Sequence, residues 1–307
     1  MKILLTKSKL SVIYSEYKTD DVDELFAWDP VGWELEFVQL SGGKLGFEYQ
    51  LADLGGVSVG ISRYGQSMLV RQRCERGGSL FALILEASAP LAVLGSELGA
   101  GEAVIMHSHE DYEFRSPNGM RVLVLEFDRD LPFPSGIYRN ISAGAAAHFA
   151  TSCREILSLS KEGRAALGKT LRKGLMAQLC ALVAKASGSG FFDENGRYRL
   201  VSRALDWARA RDVEQGPNIA AAAAALRVSE RTLYRAFHGW AGTTPRACFA
   251  ALQLHQFRDL LLRSENRPGA VATAAMDSGI DHLGRLAGSY RKLFGELPRE
   301  TLRRRCG

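Results

Sequence analysis

The chain has 307 residues, 39 Lys and Arg against 34 Asp and Glu, and a formal net charge of +5. With 46% hydrophobic and 24% charged residues it has a globular balance and enough length for two domains with cores of their own. This excludes a disordered or low-complexity chain, and the mild positive charge fits a nucleic-acid partner without requiring one.

Five cysteines, Cys74, Cys153, Cys180, Cys248 and Cys306, are scattered with no Cys-x-x-Cys pair. That argues against a disulfide framework or zinc site and for the reduced thiols of a cytoplasmic protein. Lys2, Lys7 and Lys9 interrupt the first ten residues, which lack the apolar centre of a signal peptide. No run of about 18 apolar residues is present to span a membrane.

Short β-prone runs occupy 33–40, 43–51, 57–64, 67–74, 79–85, 102–108 and 121–127, with glycine-bearing turns between them. Seven such runs at regular spacing predict a sandwich or barrel, with Trp28, Trp33, Phe47, Tyr49 and Phe81 in its core. Two constellations within it could carry chemistry. Arg71 and Arg73 are two apart and share a strand face, and Arg63 lies on the strand before. Turned inward, these three would hold an anionic effector, a carboxylate or a nucleotide messenger whose phosphate pairs with Arg. Turned outward, they are a charged ladder facing water. Gly101, His107, His109 and Glu113 have the spacing of a cupin-type metal motif. No further His precedes His148 to complete the ligand set, so a polar surface loop over 107–119 is the plainer reading. Neither metal nor cofactor is expected.

Pro132 and Pro134 close the strand-rich region. Residues 141–186 predict two helices with a break near 161–164. The first carries Phe149, Cys153, Ile156 and Leu157; the second carries Leu167, Leu171, Leu175, Leu179, Leu182 and Val183 on one stripe. Ser187-Gly188-Ser189-Gly190 reads as a short flexible linker. A helix follows from near Tyr198, with Val201, Leu205 and Trp207 inward and Arg203, Arg209 and Arg211 outward.

Two helix-turn-helix units then follow in tandem, Asn218 to Gly242 and Gly269 to Gly295, joined by one helix. Asn218 and Ser229 are N-cap candidates, since their side chains can accept from free N–H groups of a first turn. Past Ser229, Leu233, Ala236, Phe237 and Trp240 fall on one helical face and Arg231, Tyr234, Arg235 and His238 on the other. Guanidiniums at that spacing suit guanine edges or phosphates in a major groove, and they equally suit a solvated basic face. In the second unit Leu283, Leu286, Tyr290 and Leu293 form the core stripe. Asp281, His282, Arg285, Gly288, Ser289 and Lys292 face out.

"VSERTLYRAF" at 228–237, "GTTP" at 242–245 and "SGIDHLGRLAGSYRKLFGELP" at 278–298, in this order and spacing, resemble the DNA-binding domain of the AraC/XylS family of bacterial transcription regulators. The resemblance covers about the last third of the chain and is strongest to a subgroup with the ethanolamine-type regulators. It implies an α+β chain: a cupin-like effector-sensing β-barrel over 1–137, a helical dimerisation segment and linker over 138–190, and an all-α DNA-binding domain over 191–307. It implies that Arg231, Tyr234, Arg235 and His238 meet bases or adjacent phosphates of promoter DNA. His282, Arg285, Ser289 and Lys292 would dock the second helix. It further implies a homodimer, RNA polymerase as a partner and an activator's role. Family members often carry Arg where Gly288 stands and before Leu254, where this chain has Gln253. Gly284 and Gly288 weaken their helix and offer no side chain, so Arg285 and Lys292 would act mainly on phosphates. The basic cluster Arg291, Lys292, Arg299, Arg303, Arg304 and Arg305 would add phosphate attraction. Two other classes compete: a metal-dependent cupin enzyme using His107, His109 and Glu113, and an interaction protein that has lost DNA binding.

Overall fold

A computed structural model describes residues 14–26, 33–74, 77–108, 111–193, 196–210, 218–280 and 282–304. The N-terminal domain contains β1 (Tyr14–Thr19), α1 (Val22–Phe26), β2 (Trp33–Gln39), β3 (Phe47–Asp53), β4 (Val57–Tyr64), β5 (Met68–Cys74) and β6 (Ser79–Glu86). It continues through β7 (Leu91–Val93), β8 (Ser96–Leu98), β9 (Ala103–His107), β10 (Tyr112–Ser116), β11 (Met120–Phe127) and β12 (Gly136–Arg139). Two helices, α2 (Ala143–Ser158) and α3 (Lys161–Ala184), and the short β13 (Ser187–Ser189) complete it.

The strands form two sheets, β1-β3-β4-β11-β6-β9-β12-β13 and β2-β5-β10-β7-β8. This cupin-like domain is therefore two separate ladders, not a closed barrel, among the described residues. Strand alternation explains the layering. On β11, Val122 and Val124 join the core between the sheets, while Leu123, Leu125 and Phe127 join a second core under α2 and α3. The stripes expected on both helices feed that second core. Phe149, Cys153, Ile156 and Leu157 are buried there with Leu175, Leu179, Leu182 and Val183, and the ring of Phe149 meets Phe81 edge-on at 5.9 Å. Leu167 departs from its stripe and is 48% exposed. Segment 187–189, expected as a free linker, is instead an edge strand antiparallel to β12. Residues 112–116, expected as loop, form β10 between β5 and β7.

The helical domain contains α4 (Arg197–Ala210), α5 (Ile219–Ala225), α6 (Glu230–Trp240), α7 (Pro245–Arg263), α8 (Ala270–Asp277), α9 (Leu283–Phe294) and α10 (Pro298–Arg304). Asn218 caps α5 by accepting from the N–H groups of Ala220 and Ala221, and Ser229 caps α6 by accepting from Thr232 N–H. Thr244 caps α7, with Pro245 in the first turn, where its missing N–H costs nothing. Gln253, where the family often has Arg, donates from Nε2 to the carbonyls of Ser278 and Gly279 at 3.1 and 2.8 Å and satisfies the end of α8.

The helical domain covers the outer face of β2, β5 and β10. Arg209 of α4, expected in solvent, reaches Glu36 at 2.9 Å, and Arg71 reaches Asp206 at 2.7 Å. Arg258 of α7 is 2% exposed and is held by Asp21 and Asp23 of the N-terminal domain at 2.7 and 2.6 Å and by Glu296 at 2.7 Å. It also donates to Tyr290 Oη at 2.9 Å. Arg304, expected among the phosphate-attracting residues, pairs with Asp21 and Glu296 in the same cluster. Three residues earlier on α7, less than one turn away, His255 Nε2 accepts the Gln39 backbone N–H at 2.9 Å.

Burial, and then the Arg258 charge, hold the His255 imidazole down at about 3. Its lowered folded-state value means that only the unfolded chain takes up the proton between the ordinary histidine range and 3. Stability is therefore lost as pH falls through that window, by about 2 kcal/mol between pH 7 and 5. His255→Gln keeps an acceptor for Gln39 and removes the titration. Its thermal midpoint should fall less than the wild type's over that interval, by several degrees; equal falls would contradict this account. Removing the Arg258 guanidinium leaves Asp23 uncompensated and Asp21 and Glu296 sharing Arg304 alone among the described residues. Arg258→Met should cost about 3 kcal/mol or more in urea unfolding at pH 7. Burial already raises the Asp23 carboxyl, so acidification toward pH 4.5 neutralises the cluster more readily in the folded variant and should narrow the deficit.

Candidate nucleic-acid interface

The face of α6 turned away from the core is built as its spacing predicts. Leu233, Ala236, Phe237 and Trp240 are buried, Phe237 against Phe249 edge-on at 5.7 Å. Arg231, Arg235 and His238 are exposed and Tyr234 is half-buried. These four side chains line one groove of about 460 Å³. Two further residues complete it, Arg197 from the start of α4 and Gly239 of α6. Neither was singled out from the sequence. The available signal was a glycine inside an otherwise well-formed helix, a position that costs about 1 kcal/mol relative to Ala and calls for a reason.

On α9, His282, Arg285, Ser289 and Lys292 are all exposed, with Gly284, Ala287, Gly288 and Arg291 between them. Leu286, Tyr290, Leu293 and Phe294 are buried. Leu283, expected in the core stripe, is the first residue of α9 and is 46% exposed. Asp281 lies outside the described residues. The far end of α9 is held by the N-terminal domain. Gly43 N–H donates to the carbonyls of Lys292 and Leu293 at 3.0 and 3.1 Å, and Gln39 Nε2 donates to Leu293 at 2.7 Å. A Cβ on Gly42 would lie 2.4 Å from the Lys292 carbonyl oxygen, so that approach requires glycine. Helix α9 then ends at Gly295, left-handed at φ 75°.

Of the three arginines expected to line an anion site, the two whose side chains are described, Arg63 and Arg71, do not come together. Arg63 lies on β4 of the larger sheet and pairs with Glu48 at 3.5 Å on a half-exposed face. Arg71 lies on β5 of the smaller sheet and is spent on Asp206 and Glu113. The side chain of Arg73 lies outside the described residues. The physical reason is the crossover at Gly65 and Gln66, which carries the chain from one sheet to the other, so neighbouring strands in sequence are not neighbours in space. Between the sheets, Phe47, Tyr49, Tyr64, Met68 and Val122 belong to the packed apolar core instead. Burial and the Glu126 carboxylate raise both the Tyr49 and Tyr64 phenols.

The metal constellation is also dispersed. His107 engages Ser79 Oγ at 2.7 Å through Nδ1 and the Phe133 carbonyl at 2.8 Å through Nε2. Glu113 points to the opposite side, toward Arg71 and Arg209 of the domain interface. His109 lies outside the described residues. Among the described residues no helix is long and apolar enough to cross a membrane.

Comparison with known proteins places these features in a family. An AraC-binding-like domain matches residues 31–233 and a helix-turn-helix domain matches residues 222–304. The XylDLEGF operon transcriptional activator 1 of Pseudomonas putida is 42% identical over 78 residues, covering 25% of this chain and 24% of that protein. The chain thus spans about a quarter of the length of that relative. The XylDLEGF operon transcriptional activator 2 of the same organism is 31% identical over 121 residues, covering 39% of this chain and 74% of that protein. Among solved structures, the AraC-like transcriptional activator CuxR aligns over 87% of this chain and 99% of that one, at 12% identity and a TM-score of 0.41. With an AraC-binding-like domain matching about two thirds of its length and a helix-turn-helix domain towards its C-terminal end, the chain belongs to the AraC family.

Proposed function

We propose that this protein is a transcription regulator that binds promoter DNA through its two helix-turn-helix units and acts by binding, without chemistry of its own. The observation that carries this is the outer face of α6. Arg231, Tyr234, Arg235 and His238 stand together on one side of a helix whose other side is fully packed. Arg231 and Arg235 are one turn apart, which suits bidentate contacts to guanine O6 and N7, with charge left for phosphate. On α9, Arg285, Ser289 and Lys292 flank two glycines, so that helix supplies mainly phosphate contacts and little sequence reading.

The N-terminal domain is proposed to sense a small molecule that enters between its sheets. The apolar and aromatic residues packed there suit a ligand with an apolar body better than a carboxylate or nucleotide. The interface under α4, α7 and α9 then conveys the bound state, provided the ligand has different affinities for the two domain arrangements. The relatives' names support an activator's role and therefore an encounter with RNA polymerase. Helix α3 turns most of its Leu stripe into its own domain; a homodimer would instead use the exposed face bearing Leu167. Since His107 is fully engaged, a metal-dependent cupin reaction has no support from its side chain.

The test is a selection of genomic fragments with purified full-length protein across a salt series. The wild type should enrich a defined promoter set. Arg231→Ala combined with Arg235→Ala should lose that enrichment, keep weak general affinity, and flatten the salt slope by about 2. Enrichment that survives the double substitution would remove α6 as the base-reading element.

A further inference from the structure

We propose that Arg197 and Gly239 form a seat for one DNA backbone phosphate at the edge of the α6 groove. The proposal rests on the DNA-binding reading above and adds to it a site that neither the spacing of α6 nor the family match assigns.

Arg197 is the first residue of α4 and lies exposed beside Arg231, Tyr234, Arg235 and His238. Its position is unfavourable for the helix, because a cation at an N-terminus opposes the helix dipole. The carboxylate next to it does not compensate. Asp193 accepts from the N–H groups of Tyr198 and Arg199 at 2.8 and 3.1 Å and pairs with the Arg199 guanidinium at 3.1 Å. Arg199 is thus neutralised by its own cap, whereas Arg197, two residues earlier, has no ion pair among the described residues.

Gly239 is the other half of the seat. A Cβ there would lie 3.0 Å from Arg197 Cδ, 3.2 Å from Nη1 and 3.4 Å from Nε. The guanidinium therefore lies across the bare backbone of α6, one turn beyond Arg235. A helix-weakening glycine and a dipole-opposed arginine fit each other, and among the described residues Arg197 has no charged partner. What they jointly present is an uncompensated planar cation at the rim of the groove where bases are read. That is where a phosphodiester flanking the contacted base pairs would run.

Arg197 and Gly239 also border a second cleft of about 660 Å³ toward Glu97 and Arg139. A small free anion lodged there is the competing source of the same chemistry. Arg139, the other cation of that cleft, is already held by Glu102 at 3.1 Å and by the Glu97 carbonyl at 2.8 Å. The side facing α6 keeps its cations free, which favours DNA.

The test uses full-length protein and a duplex from the enriched promoters. Arg197→Gln should weaken binding about 3- to 10-fold on specific and unrelated duplexes alike and lower the salt slope by about 0.9. Arg197→Lys should retain most of the affinity. Gly239→Ala makes the guanidinium give by a few tenths of an ångström while strengthening the helix, so its thermal midpoint should rise while its affinity falls, by no more than that of Arg197→Gln. The double variant should lose nothing more. A series of duplexes, each with a single phosphate replaced by methylphosphonate, should contain one position at which the wild type loses this factor and Arg197→Gln loses none. Unchanged affinity in Arg197→Gln, losses that multiply in the double variant, or no such phosphate would overturn the seat. In the last case, an Arg197 effect abolished by millimolar inorganic phosphate would assign the residue to a free anion. A wild type that binds no duplex at all would overturn the DNA-binding reading as well, whereas failure of Arg197→Gln alone would leave that reading standing.

Discussion

The geometry of the whole chain depends on one buried cation. Arg258 is held by three carboxylates from two places: Asp21 and Asp23 at the entrance to α1, and Glu296 just past α9. Its guanidinium also stacks 4.6 Å from the Phe294 ring, which closes its remaining face. A guanidinium serves here where an ammonium would not, because its planar fork satisfies separate acceptors at fixed angles. Desolvating so many charges gives little net stability, and its consequence is specificity. Only one placement of α7, α9 and the N-terminal domain satisfies every member of the cluster.

Around that cluster the two domains share polar contacts of a particular kind. The last-turn carbonyls of α9 have no partners within their own helix, and they accept from Gly43 and Gln39 across the interface. The backbone end of the second DNA-facing helix is thereby completed by the other domain. At the opposite end of the interface, Arg115 Nε donates to the Trp240 carbonyl at the end of α6 at 3.1 Å. Both helices proposed to meet DNA are thus tied, at their C-terminal ends, to one face of one sheet. A change in the curvature of that sheet would move the two ends together, a linkage written in hydrogen bonds and not in a flexible joint.

Much of this was legible in the sequence, for reasons that differ between regions. The α6 face could be read because a helix fixes its side-chain directions every 100°, and the caps at Asn218 and Ser229 act within a few residues. The strands β4, β5, β6, β9 and β11 were legible for the same local reason. What could not be read was pairing at a distance. Strand rhythm gives no sign that β4 and β5 lie in different sheets, so Arg63 and Arg71 were grouped when they belong apart. Nor does it show that Arg71, Arg209, Arg258 and Arg304 are spent on an interface between domains. A basic residue in sequence is a charge whose partner is unknown, and here the partners are up to 283 positions away. Arg197 went unnoticed because the residue that gives it meaning, Gly239, is 42 positions further on.

The edge strand at 187–189 has a consequence for how the domains stay together. With β13 paired to β12, only residues 190–196 connect the N-terminal domain to α4. Seven residues reach at most about 25 Å. So short a tether keeps the helical domain at a high local concentration beside its docking face, and contacts that would be negligible between separate molecules become decisive. If β13 peeled from β12, three more residues would enter the tether and its limit would extend to about 35 Å. A three-residue ladder of Ser and Gly, held at its hydroxyls by Asn140 and Arg139, would then act as the length adjuster of the joint.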